Sequence, residues 1–472
     1  MKNACLAIIL FLPLFTLAQT AKEYSDAGIK LVKAKDYTAA IEQFSKAIKL
    51  SPDSIIFRTY RGQAEILSKS YNDAIDDYTN IIRLDPQNLY AYSNRGLVKI
   101  YIKDFNGAIA DCNHVLLINA KIDSTINNRG LAKFGLNDFN GAISDFDLTI
   151  SINPKNSKAY YNRGNVKSKL GDYEGAIADF NKAININPEF IGPFFSRGII
   201  KFLLKQYDSS LSDFDQVIEI YPGYAEAYDR RGMSKMRMKN YSGAINDFNK
   251  ALTINPNYDV FYRDRGETKF EMKDLIGAFA DYNKAILINP KYSLAYYNRA
   301  ELKVRNKDYK GAIADYTEAI KINPEFSDAY NNRGCTKGYL SDFSGAVSDI
   351  NKTISLNPNN STAYYNRAEE EIAMNTNDLA IIDLNKAIAL NPQYSEAYLH
   401  RGILMVNNND YNSAIKDFNK AILINPQYAF AYYDRAKLKL QLHDNGGACL
   451  DFNKANDLGF TAAQSYLAKH CK

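Results

Sequence analysis

The stretch AYYNRGNVKSKLGDYEGAIADFNKAININP, residues 159–188, decides the reading of this chain. Its opening returns as AYSNRG at 91, AYDRRG at 227, AYYNRA at 295 and 363, AYNNRG at 329, AYLHRG at 397 and AYYDRA at 431. The tyrosines and the asparagine drift, but the arginine does not. Twelve arginines, from Arg61 through Arg163 to Arg435, follow one another at a step of 34 residues without an insertion. Proline keeps the same step from Pro52 to Pro426, and only Ala120 breaks the series. A fixed period of this length marks stacked repeats.

With the proline placed at position 32, the first repeat begins at Ala21. Thirteen repeats then run in steps of 34 residues, from 21–54 and 55–88 through 157–190 to 429–462. The last has Phe460 in the proline's place, and residues 463–472 are left as a short C-terminal capping helix. Inside one repeat, Tyr160, Gly164, Ala176, Phe180 and Ala183 stand at positions 4, 8, 20, 24 and 27. Spacings of four, four and three put each set on one helical face. Small residues at positions 8 and 20 let two helices cross closely, and the aromatics fill the space beside them. Asp172 and its equivalents at position 16 are placed to cap the second helix by accepting its free N–H groups. Asn-Pro at positions 31 and 32 ends that helix, because the residue before proline is driven out of the helical region. The expectation is an all-α chain of helix–turn–helix repeats, stable only through stacking.

This pattern resembles the tetratricopeptide repeat (TPR), whose signature is W-x2-L-G-x2-Y, then A-x3-F, then P. Residues Tyr160, Arg163, Gly164, Lys167, Ala176, Phe180 and Pro188 carry it here, with Tyr for Trp, Arg for Leu and Lys for Tyr. The resemblance spans residues 21–462 and leaves no room for a separate catalytic domain. It implies a TPR superhelix (α-solenoid) that acts as a non-enzymatic protein–protein interaction scaffold. It also implies that first helices line a concave surface, chiefly through positions 2, 5, 6, 9, 12 and 13, where peptides bind.

The repeated arginine has a candidate partner. Aspartate recurs at position 23 from Asp77 to Asp451, including Asp179 and Asp213. The first repeat lacks both charges, with Ala27 and Gln43 instead. That joint absence favours pairs such as Arg163–Asp179 and Arg197–Asp213 within one repeat. Position 7 of the next repeat lies at the same height, so pairing with the neighbour's arginine stays open.

Candidate partner-binding residues are those that drift. Position 6 reads Asn94, Asn128 and Asn162, then Ser196, Arg230 and Asp264, then Asn298, Asn332 and Asn366. Position 5 adds Tyr161, Phe195, Tyr297, Tyr365 and Tyr433, with Asp229 and Arg263 among them. Asparagine both donates and accepts to a peptide backbone, and an aromatic, mixed-charge groove suits protein or peptide ligands. The carboxylate clamp of some TPR domains is not matched: Tyr161, Ser196 and Glu226 stand at three of its places.

A formal charge of +5 over 472 residues, with signs interspersed, gives no reason to expect nucleic-acid binding. Four histidines, and no metal, phosphate-loop or nucleophile motif, leave no catalytic site, cofactor or small-molecule substrate to expect. Residues 1–18, with Lys2, an apolar run from Ala4 to Leu17 and Ala18, have the layout of a signal peptide. The chain is thus expected to be exported to the periplasm, envelope or exterior of a bacterium, meeting membranes only through partners. Export favours a Cys449–Cys471 disulfide that fastens the terminal helix. Two roles stay in view: an envelope scaffold or adaptor, and a peptide receptor or holdase using the Asn/Tyr-lined groove.

Overall fold

A computed structural model describes residues 20–471; the segment 1–18, expected from the sequence to be a signal peptide, lies outside the described residues. Within them the chain is made of helices and turns only, two helices (A and B) to each repeat. In repeat 5 these are Ser157–Lys169 and Tyr173–Ile186, and a final short helix spans Ala463–His470. Among the described residues packing gives two compact units, the first ending at Ser234 and the second beginning at Lys235, with the boundary inside the helix Ala225–Arg237.

Local chemistry explains the breaks. Helix A ends when position 15 turns left-handed: Lys35 has φ of 63°, Lys103 64° and Asn137 61°, and only Gly171 is a glycine there. Position 16 then caps helix B, as when Asp172 Oδ1 accepts from Gly175 N–H at 2.9 Å. Where Ser70, Gln206 or Thr376 stands instead, no such side-chain bond forms. At the far end Asn187 N–H donates to Ala183 O at 2.9 Å, while its side-chain oxygen accepts from Glu189 N–H at 3.2 Å. The asparagine so bridges Pro188, which has no N–H to donate.

Each repeat's core is closed by its successor. Ala142 and Phe146 of repeat 4 pack with Val166 of repeat 5, and Ala176 and Phe180 pack with Ile200 of repeat 6. The second unit repeats the scheme, with Leu302 of repeat 9 on Ala278 and Tyr282 of repeat 8. The close crossing depends on position 8: a Cβ built on Gly164 would lie 2.7 Å from Phe180 Cε1. After repeat 13 comes the short helix Ala463–His470, whose Ala463, Tyr466 and Leu467 cover Ala448 and Phe452.

The terminal helix is fastened by a disulfide between Cys449 and Cys471, with Cα atoms 5.6 Å apart and a sequence separation of 22. Closing a loop of that size removes about 3 kcal/mol of unfolded-state entropy. Replacing both cysteines by serine is expected to lower amide-exchange protection of residues 463–470 by about a hundredfold. Protection of the first unit is expected to stay unchanged, and an unaltered terminal helix would show that packing alone holds it.

Candidate functional site

The arginine at position 7 is tied down on three sides. In eleven repeats its Nε and its Nη2 donate to the aspartate of the same repeat. For Arg163 and Asp179 the two bonds are 2.9 and 2.5 Å; Arg197 takes Asp213 in the same way. The pairing is thus internal to the repeat. The remaining nitrogen, Nη1, reaches back to position 25 of the preceding repeat: Arg95 to Thr79 at 3.0 Å, Arg129 to Asn113 at 2.9 Å, Arg265 to Asn249 at 2.6 Å. The guanidinium also lies over the ring at position 4, as Arg163 does 5.6 Å from the Tyr160 centroid. The bond to Asp179 raises the pKa of Arg163 further above its ordinary value, although burial opposes it.

The aspartates are 1–5% exposed, and two cations share most of them. Lysine at position 11 of nine repeats puts Nζ 2.7–2.9 Å from the second carboxylate oxygen, as with Lys167 and Asp179. Both extra partners left a trace in the sequence. Position 25 holds only Ser, Thr, Asn or Asp, from Ser45 to Asn453, and lysine at position 11 recurs almost as often as the aspartate. Two repeats break the rule with glutamate. Burial first, and then the neighbouring Asp77, push the Glu65 carboxyl up to about 8. Burial and Asp383 push Glu371 up to about 7. In repeat 2, Arg58 stands in for the lysine, with Nη1 3.3 Å from Asp77 Oδ1.

The drifting residues lie on the row of A helices, and neighbouring repeats are laced together through them. Position 6 of one repeat donates to position 5 of the repeat before: Asn162 Nδ2 to Asn127 Oδ1 at 2.9 Å, Asn332 Nδ2 to Tyr297 OH at 2.9 Å, Asn366 Nδ2 to Asn331 Oδ1 at 3.0 Å. Asn94 instead donates to Tyr90 O at 2.8 Å, and Asn128 and Asn298 are half-buried in the same row. The position 5 rings are half-buried too, because the connecting segment folds over them. Tyr161 meets Phe190 at 5.0 Å, Phe195 meets Tyr224 at 5.2 Å, and Tyr297, Tyr365 and Tyr433 meet Phe326, Tyr394 and Phe460 at 4.8–4.9 Å. These rings form the floor of the face more than its surface.

Two candidates stand differently from the sequence reading: Asp229 is turned inward, and Arg263 borders a cavity of the row but is already paired. Asp229 is 1% exposed and does not reach the face, although the neighbouring Arg230 is exposed. Arg263 is occupied internally: Nη1 lies 2.7 Å from Asp264 Oδ1, and Nε donates to Tyr292 OH at 3.0 Å. A helical residue beside the arginine points inward or outward according to how neighbouring repeats rotate, and single-repeat spacing does not contain that rotation.

Cavities open on the row of A helices in both units. One of about 500 Å³ in the first is apolar, bounded by Ile29, Val32, Tyr60, Ile66, Tyr90 and Leu97. In the second, Arg263, Glu267, Tyr297, Asn298 and Glu301 bound one of about 360 Å³. Among the described residues no group of three or more His, Cys, Asp or Glu is arranged to hold a metal ion, and no helix is long and apolar enough to cross a membrane.

A family model described as Tetratricopeptide repeat matches residues 157–190 and 293–326. Three further models of the same description match 225–258, then 25–88, then 361–394 with 395–428. No curated protein matches the chain. Similar solved structures include the APC/C hetero-tetramer Cut9-Hcn1, at 14% identity over 97% of each chain and a TM-score of 0.49. Yeast Tom70 is 16% identical over 95% of each chain, with a TM-score of 0.39. YrrB, described as a TPR protein with an unusual peptide-binding site, is 21% identical over 40% of this chain and 97% of its own, with a TM-score of 0.35.

Proposed function

Because the chain belongs to the tetratricopeptide-repeat family, we propose that it is a non-enzymatic protein-interaction scaffold, exported to a bacterial envelope, that binds its partners on the row of A helices. One observation carries this reading. The charges that recur in every repeat from the second on are turned inward, holding repeat to repeat. The residues that differ between repeats stand at positions 5, 6 and 9 of the A helices, beside the cavities. A surface that varies along a regular scaffold is what selective recognition requires. The apolar run from Ala4 to Leu17 supports export, and so does the Cys449–Cys471 disulfide, which suits an oxidising compartment.

Photo-crosslinking in intact cells tests the reading. A photoreactive residue at Asn298, on an A helix, is expected to capture discrete partners; the same residue at the exposed Lys321 of a B helix is expected to capture none of them. Equal capture at both places would refute the assignment of the face. The mature chain's mass tests export: cleavage after Ala18 is expected, and an intact N-terminus in a cytoplasmic fraction would count against it.

A further inference from the structure

Three A helices of the second unit, Asp259–Glu271, Ser293–Arg305 and Ser327–Gly338, bound two adjoining cavities of about 360 and 250 Å³. Phe270 and Glu301 belong to the walls of both. This place is unlike the first seven repeats. Position 9 carries Glu267 and Glu301 here, where those repeats have only uncharged residues, from Ile29 to Met233; the next glutamate at this position is Glu369 of repeat 11, where the Tyr365 hydroxyl donates to it at 2.8 Å.

The two glutamates are not equally free. Glu267 already shares Arg263, at 3.3 Å, and Arg237, at 3.5 Å. Glu301 accepts a hydrogen bond from the neutral Tyr297 hydroxyl at 3.1 Å. The Arg305 guanidinium, which borders the same cavity, lies over the Phe270 ring at 4.0 Å. Burial raises the pKa of Glu301 above the usual carboxylate value, outweighing both the Tyr297 bond and the pull of Arg305. An anion that has lost water without gaining a close cation gains most from a cation brought by a ligand. Around it, Phe270 and Tyr297 offer flat apolar walls on which the stem of a long basic side chain can lie. The Asn298 amide, on the same cavity, can both donate to and accept from a peptide bond.

We propose that this double cavity receives a lysine or arginine side chain from an extended segment of a partner protein, with the cation paired to Glu301 and the stem along Phe270 and Tyr297. The inference rests on the A-helix row being the partner face. It adds the chemistry selected there: a basic residue, where an apolar or acidic one would be excluded by the stranded carboxylate.

Fluorescence anisotropy with the full chain tests it. The probes are labelled peptides alternating alanine with lysine, with arginine, with norleucine or with glutamate. The basic peptides are expected to bind at least about tenfold more tightly than the norleucine peptide, a difference of about 1.4 kcal/mol. Glu301→Gln keeps an acceptor for Tyr297 and removes the charge, so it is expected to erase that preference while leaving norleucine binding and the circular dichroism unchanged. Glu318→Gln, on an exposed part of a B helix, is expected to alter nothing. The proposal is overturned if lysine and norleucine peptides bind alike, if none binds, or if Glu301→Gln leaves the ratio intact. Glu301-dependent self-association in sedimentation would also overturn it, by making a second copy the occupant. Norleucine binding equal to lysine binding, with partners still captured at Asn298, would leave the scaffold reading standing and remove only the basic preference. The converse, Glu301-dependent lysine binding without capture at Asn298, would sustain the site and count against the scaffold reading.

Discussion

Arg401→Ala is expected to cost the second unit about 3–5 kcal/mol, the range for leaving a buried charge without its partner. Arg401 donates twice to Asp417, at 2.8 and 2.7 Å, and once to Asn385 of the preceding repeat at 2.6 Å. Asp417 is 5% exposed, and position 11 of its repeat is Met405, so no lysine remains to share the charge. Arg197→Ala provides the comparison. Asp213 keeps Lys201 at 2.9 Å after that change, so the loss is expected to be smaller by about 1–2 kcal/mol, within the usual worth of a charge-assisted hydrogen bond. Urea unfolding of the full chain, with amide exchange to assign the loss to its repeat, measures both. In a double-mutant cycle, Arg197→Ala with Asp213→Ala is expected to lose less than the sum of the single changes. Strictly additive losses would show that the pair carries no coupling energy.

The second large effect runs against the usual pH dependence of an acidic group. The folded chain holds the Glu65 carboxyl at about 8 instead of 4.5, because it is buried beside Asp77. Below the unfolded value both states carry the proton and nothing changes. Between the two values the folded state keeps a proton that the unfolded state has released, so stability falls as pH rises through this window. A shift of this size corresponds to about 3–5 kcal/mol, lost progressively between about pH 5 and pH 8. Glu65→Gln is expected to flatten that slope. Glu371, pushed up to about 7 beside Asp383, behaves in the same sense over a narrower window. Glu371→Lys would give repeat 11 the lysine that Lys337 provides to Asp349 at 2.8 Å in repeat 10. It is expected to raise stability at pH 8 by about 2–4 kcal/mol. Thermal unfolding at pH 5 and pH 8 reads both changes, and a wild-type curve as stable at pH 8 as at pH 5 would overturn the account.

These effects separate what could be read along the chain from what could not. The helix-A and helix-B faces, the aspartate caps and the Asn-Pro exits depend on contacts a few residues apart, so a pattern within one period reveals them. The arginine–aspartate pair was legible because both charges are missing from repeat 1. Its third partner at position 25 and the lysine at position 11 were equally regular, yet they pass for ordinary polar surface until the next helix is in place. The proposed partner face was the least legible. Tyr161 reads as a groove residue, but Phe190 covers part of it, and Asp229 reads as a surface charge but is buried.

The sequence by itself determined the period, the two helices of each repeat, the small residues where they cross and the charges that recur from the second repeat on, because each rests on local geometry copied from repeat to repeat. Only the tertiary structure decided which arginine each aspartate takes, which drifting side chains stay on the face, and that Glu301 stands at a cavity beside a neutral hydroxyl. Those outcomes depend on how one repeat is rotated against the next. That rotation is set by packing between residues 34 positions apart in the chain, and no spacing within a single repeat records it.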